Sequence, residues 1–217
     1  SGKTRPYIMC EYAHGMGNSN GNLRDLWDLI YKSSNLQGGF IWDWQEQAFL
    51  MKPTENEDRT YHDYWGARGS HIWPIFANQG PADGIIAADG TPKPQAQEVK
   101  KIYQCIDFTP VDLPNGKIAV INRYDFITLA DHDFAWEILK DGTVVDSGNF
   151  SLTTKPHSIS EVSLPIVKPY EGECFINLYA TVKNASGLLD KGFQVAKEQF
   201  YLGGVSAHDK VTSGKVK

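Results

Sequence analysis

Arg5-Pro-Tyr-Ile-Met-Cys-Glu-Tyr-Ala-His-Gly-Met-Gly-Asn-Ser19 is the stretch from which the chain is best read. Tyr7-Ile-Met-Cys10 is a short apolar run behind Pro6, the pattern of a buried parallel strand. Glu11 ends it. A carboxylate directly after an apolar strand is costly to bury without partners, and His14, three residues on, could supply one. In a β/α barrel the C-terminal ends of the strands face the active site, so Glu11 is the first candidate for chemistry. Many strands simply end in a solvated Glu, and a lone His is more often a surface residue.

Outward from this stretch, a polar, glycine-rich segment runs from His14 to Asn22. Leu23, Leu26, Trp27 and Ile30 then recur at helical spacing, with Asn20 or Asn22 available as a cap. A second apolar strand, Leu36-Gln-Gly-Gly-Phe-Ile-Trp-Asp-Trp44, follows. Strand, helix and strand in this order make a βαβ unit, with a right-handed crossover as the default. Trp42, Asp43 and Trp44 fall at the same end as Glu11, although the tryptophans could equally be core. Residues 45–90 read as a long irregular connection. A helix is expected after Thr91 with Pro92 or Pro94 in its first turn, and Ala96, Val99, Ile102 and Tyr103 form its apolar stripe.

The second half has a different rhythm. Asp107–Gly116, with Pro110 and Pro114, reads as a linker. Ile118, Val120 and Asn122 alternate along one strand face, as do Phe134, Trp136 and Ile138, and then Cys174, Ile176, Leu178, Ala180 and Val182. Asp141-Gly142 is a hairpin signal, Asn184–Gly187 is a turn, and Phe193 to Leu202 closes the series. Short strands of this kind suggest an antiparallel β-sandwich. The expected organisation is therefore 1–106 α/β, 107–115 linker, 116–204 β-sandwich and 205–217 a polar, mobile tail.

Bulk properties remove several function classes. A net charge of −5 and a pI near 5.7 give no basic stripe for nucleic acid. No stretch approaches the roughly 18 apolar residues of a membrane span, and Ser1–Cys10 has no apolar core of a signal peptide. No compartment follows from this. Cys10, Cys105 and Cys174 are odd in number and far apart, so buried free thiols are expected rather than a disulfide framework or a metal site. Gly15-Met-Gly17 is followed by Asn18, too loose for a dinucleotide fingerprint.

The Arg5–Ser19 stretch resembles the nucleophile segment of the large bacterial β-galactosidases of glycoside hydrolase family 2. Leu36–Trp44 is similar to the next barrel strand of those enzymes, at matching spacing. Asp83-Gly-Ile-Ile and Asp89-Gly-Thr-Pro-Lys-Pro94 resemble the segment that ends their barrel. The resemblance covers roughly residues 5–203, and its first two motifs are the specific ones. It implies the C-terminal part of a TIM (β/α)8 barrel followed by an antiparallel immunoglobulin-like β-sandwich. It also implies retaining hydrolysis of terminal β-D-galactosides through a covalent intermediate on Glu11. His14 matches a histidine that contacts the galactosyl hydroxyls, and Trp42 a tryptophan lining the sugar site. Asp83 falls where the family has an asparagine ligand of sodium, and Gly80 aligns near a backbone carbonyl ligand. Asp for Asn adds charge there, and Pro81-Ala82 departs from the family pattern.

The same resemblance implies parts that these residues do not supply. The family's general acid lies in an Asn-Glu motif upstream, as do its magnesium ligands. Asn56-Glu57 is the only such pair in this sequence, in a polar loop after the last strand. A barrel needs roughly 250 residues, so a truncated chain, inactive alone and completed by a missing N-terminal part, is expected; at full length a homo-oligomer is implied. Two other readings are a β-glucuronidase or β-mannosidase of the same family, and a non-catalytic carbohydrate-binding or assembly module built on the sandwich. A metal-dependent hydrolase using His62, Asp63 and His71 is a third, whose spacing fits no strong zinc pattern.

Overall fold

The computed structural model describes residues 5–15, 19–46, 48–51, 71–74, 83–166 and 172–203; for 48–51 and 71–74 only the backbone is described. The chain divides into two compact units, Ser1–Tyr103 and Gln104–Lys217.

In the first unit, β1 (Tyr7–Tyr12) pairs in parallel with β2 (Leu36–Ile41), and α1 (Leu23–Lys32) connects them. The βαβ reading therefore holds, although β2 ends at Ile41 and Trp42–Trp44 lies beyond it. Asn22 sits at the start of α1 in the left-handed region and caps nothing with its side chain. Leu23 turns into a small core with Tyr12, Ile85, Val99 and Ile102, and Ile30 is buried on the same helix. Residues 45–90 are not wholly irregular: β3 (Ala48–Met51) and β4 (His71–Pro74) form an antiparallel pair. α2 (Pro94–Ile102) opens with Pro94 in its first turn, where the missing N–H costs no helical bond. Val99 and Ile102 are its buried face as expected, but Gln95 joins them. Tyr7, Ile8 and Phe40 are exposed on the two strands.

The second unit is antiparallel. β7 (His132–Lys140), β8 (Thr143–Phe150), β10 (Cys174–Val182) and β11 (Gln194–Gly203) form a sheet of order β11-β10-β7-β8. β5 (Ile106–Asp112), β6 (Lys117–Asn122) and β9 (Ser158–Ser163) form another, of order β5-β6-β9. Ile106, Phe108, Ile118 and Val120 from the smaller sheet share one core with Phe134, Trp136, Ile138, Ile176, Leu178 and Ala180 from the larger. The alternation along β7 and β10 buries the residues it marked. Asp141 and Gly142 both take positive φ, the geometry of a two-residue hairpin turn. Asn122 is fully buried, and its amide donates to the carbonyls of Ile127 and Thr154 at 2.9 and 3.1 Å.

Residues 107–115, expected as a linker, instead belong to β5 and a short 3-10 turn at Leu113–Asn115. Pro110 misled that reading. It has no N–H to give a ladder, but β5 lies at the edge of its sheet, where proline is tolerated. The expectation of buried thiols also needs correcting. None of the three cysteines is in a disulfide, but Cys10 is exposed, Cys105 half-buried and only Cys174 buried. The tail from 204 on, Gly80, His62, Asp63 and Asn56-Glu57 lie outside the described residues, and of His71 only the backbone is described.

His132, at the start of β7, is buried with its Nδ1 lacking a hydrogen-bond partner among the described residues, and it stacks on Tyr124 at 5.5 Å. Burial pushes its pKa down, against the pull of Asp131 and Asp133 in the other direction. The folded state thus binds the proton less readily than the unfolded chain. Stability is fully present above the unfolded histidine value of about 6.5 and falls as pH drops below it toward the folded value. Amide protection factors in β7 and β10 are expected to decrease between pH 7.5 and 5.5, and His132→Phe to flatten that decrease. An unchanged pH slope in His132→Phe would count against this assignment.

Candidate active site

β1 delivers Glu11 to the C-terminal end of a parallel strand, half exposed. The chain turns at once: Ala13 takes a positive φ, and His14 swings back so that its Nε2 lies 3.0 Å from Glu11 Oε2. The side chains are 36% and 48% exposed for His14 and Glu11, so the pair opens to solvent and is reachable by a ligand. A ring nitrogen in this position fixes which carboxylate oxygen stays free to act. The loop carrying His14 is held locally. Ser19 Oγ donates to the His14 carbonyl, and the Asn20 amide lies 2.8 and 2.9 Å from the carbonyls of His14 and Ala13.

The end of β2 is stitched to the same loop through its backbone. Trp42 N donates to Tyr12 O at 3.0 Å, and Gly15 N donates to Trp42 O at 3.0 Å and to Asp83 O at 3.2 Å. The Trp42–Asp43 peptide is cis, and the Trp42 side chain is partly exposed. Asp43–Glu46 then runs beside Asp83–Ile86: Asp43 N donates to Asp83 O, Ile85 N to Asp43 O, and Ile86 N to Trp44 O, at 2.6 to 3.0 Å. Glu11, His14, Trp42 and Asp83 thus come from three segments that meet at one strand end.

Asp83 has an unusual setting. Its Oδ1 is buried without a hydrogen-bond partner among the described residues. Burial raises its pKa, His14 and Lys93 pull it down, and Asp43 and Glu11 push it up. An orphaned carboxylate oxygen suits a cation ligand. Among the described residues, no group of three or more His, Cys, Asp or Glu could hold a metal ion.

Gly84 is what lets these segments touch. A Cβ there would sit 2.0 Å from Glu46 N and 2.5 Å from Gln45 C, both backbone atoms that cannot swing aside. Gly84→Ala is expected to push the segments apart, to displace Asp83 and to cost about 1–3 kcal/mol by overpacking. Urea unfolding of the first unit reads this directly, and an unchanged midpoint would contradict it.

Two features of the site left no mark in the sequence. Lys93 Nζ lies 2.9 Å from Glu46 Oε1 and donates to Gly15 O at 3.1 Å. Tyr12 OH accepts from Trp27 Nε1 at 3.0 Å and bonds Tyr103 OH, tying β1 to both helices. Periodicity marks Trp27 and Tyr103 only as stripe residues. Lys93 and Glu46 are 47 positions apart, with no pattern linking them.

Residues 1–108 match the family model described as glycosyl hydrolases family 2, TIM barrel domain, and residues 118–203 match that of β-galactosidase, domain 4. The β-galactosidase of Priestia megaterium is 38% identical over 204 residues, covering 91% of this chain and 19% of its own. That of Leuconostoc mesenteroides is 34% identical over 205 residues, covering 93% and 19%. A solved structure, the Amycolatopsis orientalis exo-chitosanase CsxA, is 14% identical over 56% of this chain and 14% of that one. Its TM-score of 0.37 is too slight to bear on the fold. The chain belongs to glycosyl hydrolase family 2, in the region where the TIM barrel domain is followed by domain 4 of its β-galactosidases. It spans about a fifth of the length of the curated relatives it matches.

Proposed function

We propose that this chain carries the nucleophile of a retaining β-galactosidase, and that the activity belongs to a longer protein of which it is a part. The observation that carries the proposal is Glu11 at a parallel strand's C-terminal end with His14 Nε2 at 3.0 Å, in a segment matched to the family's barrel. Retaining glycosidases place two carboxyl groups about 5–5.5 Å apart. Glu11, ionised, attacks the anomeric carbon as the leaving oxygen takes a proton from the second group, and a covalent galactosyl-enzyme forms. The second group then removes a proton from the water that releases galactose. Its source on this reading is the upstream barrel, where the family's Asn-Glu motif lies. The isolated chain is then inactive.

His14 and Trp42 line the sugar subsite, the first through hydroxyl contacts and the second through its partly exposed ring. Asp83, whose Oδ1 has no hydrogen-bond partner among the described residues, would supply one oxygen ligand to a sodium ion, whose charge would help bind sugar hydroxyls; Gly80, the other ligand expected, lies outside those residues. Magnesium ligands, like the general acid, belong to the upstream part. The exposed Tyr7, Ile8 and Phe40 are then surfaces that neighbouring barrel elements cover. The second unit is an immunoglobulin-like sandwich, a reading supported by sheets of four and three antiparallel strands around one core. At full length a homo-oligomer is proposed.

A panel of nitrophenyl glycosides offered to the longer protein tests the specificity. The galactoside is expected to be cleaved well above the glucuronide and mannoside. Preference for either of those would replace the galactosidase reading with another specificity of the family.

A further inference from the structure

We infer that the part-buried Lys93–Glu46 ion pair is the positioning device that holds His14 against Glu11; this rests on the reading of Glu11 as the nucleophile. Lys93 stands at the start of α2, and its backbone N donates to Ile85 O at 2.9 Å, so its root is fixed to the segment that follows Asp83. Its side chain is 18% exposed and that of Glu46 only 6%. Glu46 takes Lys93 Nζ at 2.9 Å on one oxygen and Ala88 N at 3.1 Å on the other. A buried ion pair seldom adds stability over apolar residues of the same shape, so its presence calls for a use.

The use is visible in the third bond of Lys93, to Gly15 O at 3.1 Å. Gly15 follows His14. Its N–H is already spent on Trp42 O and Asp83 O, and Lys93 takes its carbonyl, so Gly15 is pinned at both ends. Ser19 and Asn20 also bind this loop, at the carbonyls of His14 and Ala13, but they follow it directly in the chain and give it no tie to another segment. Lys93 ties it by a charged hydrogen bond to the frame of residues 83–102. A drift of His14 by about 1 Å would be enough to unsettle the Glu11 carboxylate for attack, and misplacements of that size cost up to about a hundred-fold in rate. Lys93 and Glu46 are positioning residues: neither touches the sugar, and their effect passes through His14.

Removing Lys93 alone would leave Glu46 buried and uncompensated, so the test uses the paired change Lys93→Met with Glu46→Gln. In this chain, nuclear Overhauser contacts between the His14 ring and the Glu11 side chain are expected in the parent and lost in the paired variant. Contacts that persist overturn the inference whether or not any sugar is cleaved. In the longer protein the paired change is expected to lower kcat on nitrophenyl galactoside by about ten-fold or more with KM nearly unchanged. It should have no further effect in a His14→Ala background, because both changes act on one contact. Effects that multiply would assign the pair a separate, merely structural role and overturn the inference. A parent protein that cleaves no galactoside would instead sink the galactosidase reading, with the Overhauser contacts still deciding the positioning role.

Discussion

Glu11→Gln in the longer protein is expected to lower kcat/KM on nitrophenyl galactoside by about ten-thousand-fold while leaving the fold intact. The amide keeps the shape of the carboxylate and can still bond His14 Nε2, but it cannot attack an anomeric carbon. Removing a covalent nucleophile commonly costs several powers of ten. Glu11 is half exposed and bonds His14, so the exchange strands no buried charge. Its thermal midpoint should stay within about 2 °C of the parent, as for a surface change. A loss of less than ten-fold would move the nucleophile elsewhere.

The other large effect lies in the second unit. Phe134 is fully buried, stacks on Phe150 at 5.1 Å and meets Phe108 edge-on at 6.4 Å, so it bridges both sheets. Phe134→Ala deletes that bridge and opens a cavity that the two sheets, each tied by its own ladders, can only partly close. The expected cost is about 3–5 kcal/mol, a large share of a small unit's stability. Urea unfolding followed by amide exchange in β7 and β10 measures it. A cost below about 1 kcal/mol would mean that Phe134 is not central to this core.

What could be read from the sequence follows from the range of the interactions. β1, α1 and β2 announce themselves because their apolar spacing is local, and Glu11–His14 is a contact across three residues. The alternation in β7 and β10 is equally local. Pro110 shows the limit: proline argues against a strand until the sheet order puts β5 at an edge. Asn22 looked like a cap and is only a left-handed entry residue, while Asn20 spends its amide on the His14 loop. The Lys93–Glu46 pair and the orphaned Asp83 oxygen depend on segments about forty residues apart meeting backbone to backbone. Nothing periodic reports such a meeting. Its nearest trace is Gly84, a glycine whose need becomes plain only when Glu46 N is found against it.

The most direct test of Glu11 is covalent. The longer protein, incubated with a 2-deoxy-2-fluoro-β-galactosyl donor carrying a good leaving group, should accumulate the galactosyl-enzyme, because the fluorine slows its hydrolysis more than its formation. After an acid quench and peptic digestion, mass spectrometry is expected to find one fluorogalactosyl unit on the peptide that contains Glu11, and none in Glu11→Gln. A label on another carboxylate would contradict the assignment of Glu11, and a protein that turns over galactosides but never takes the label would contradict the covalent mechanism.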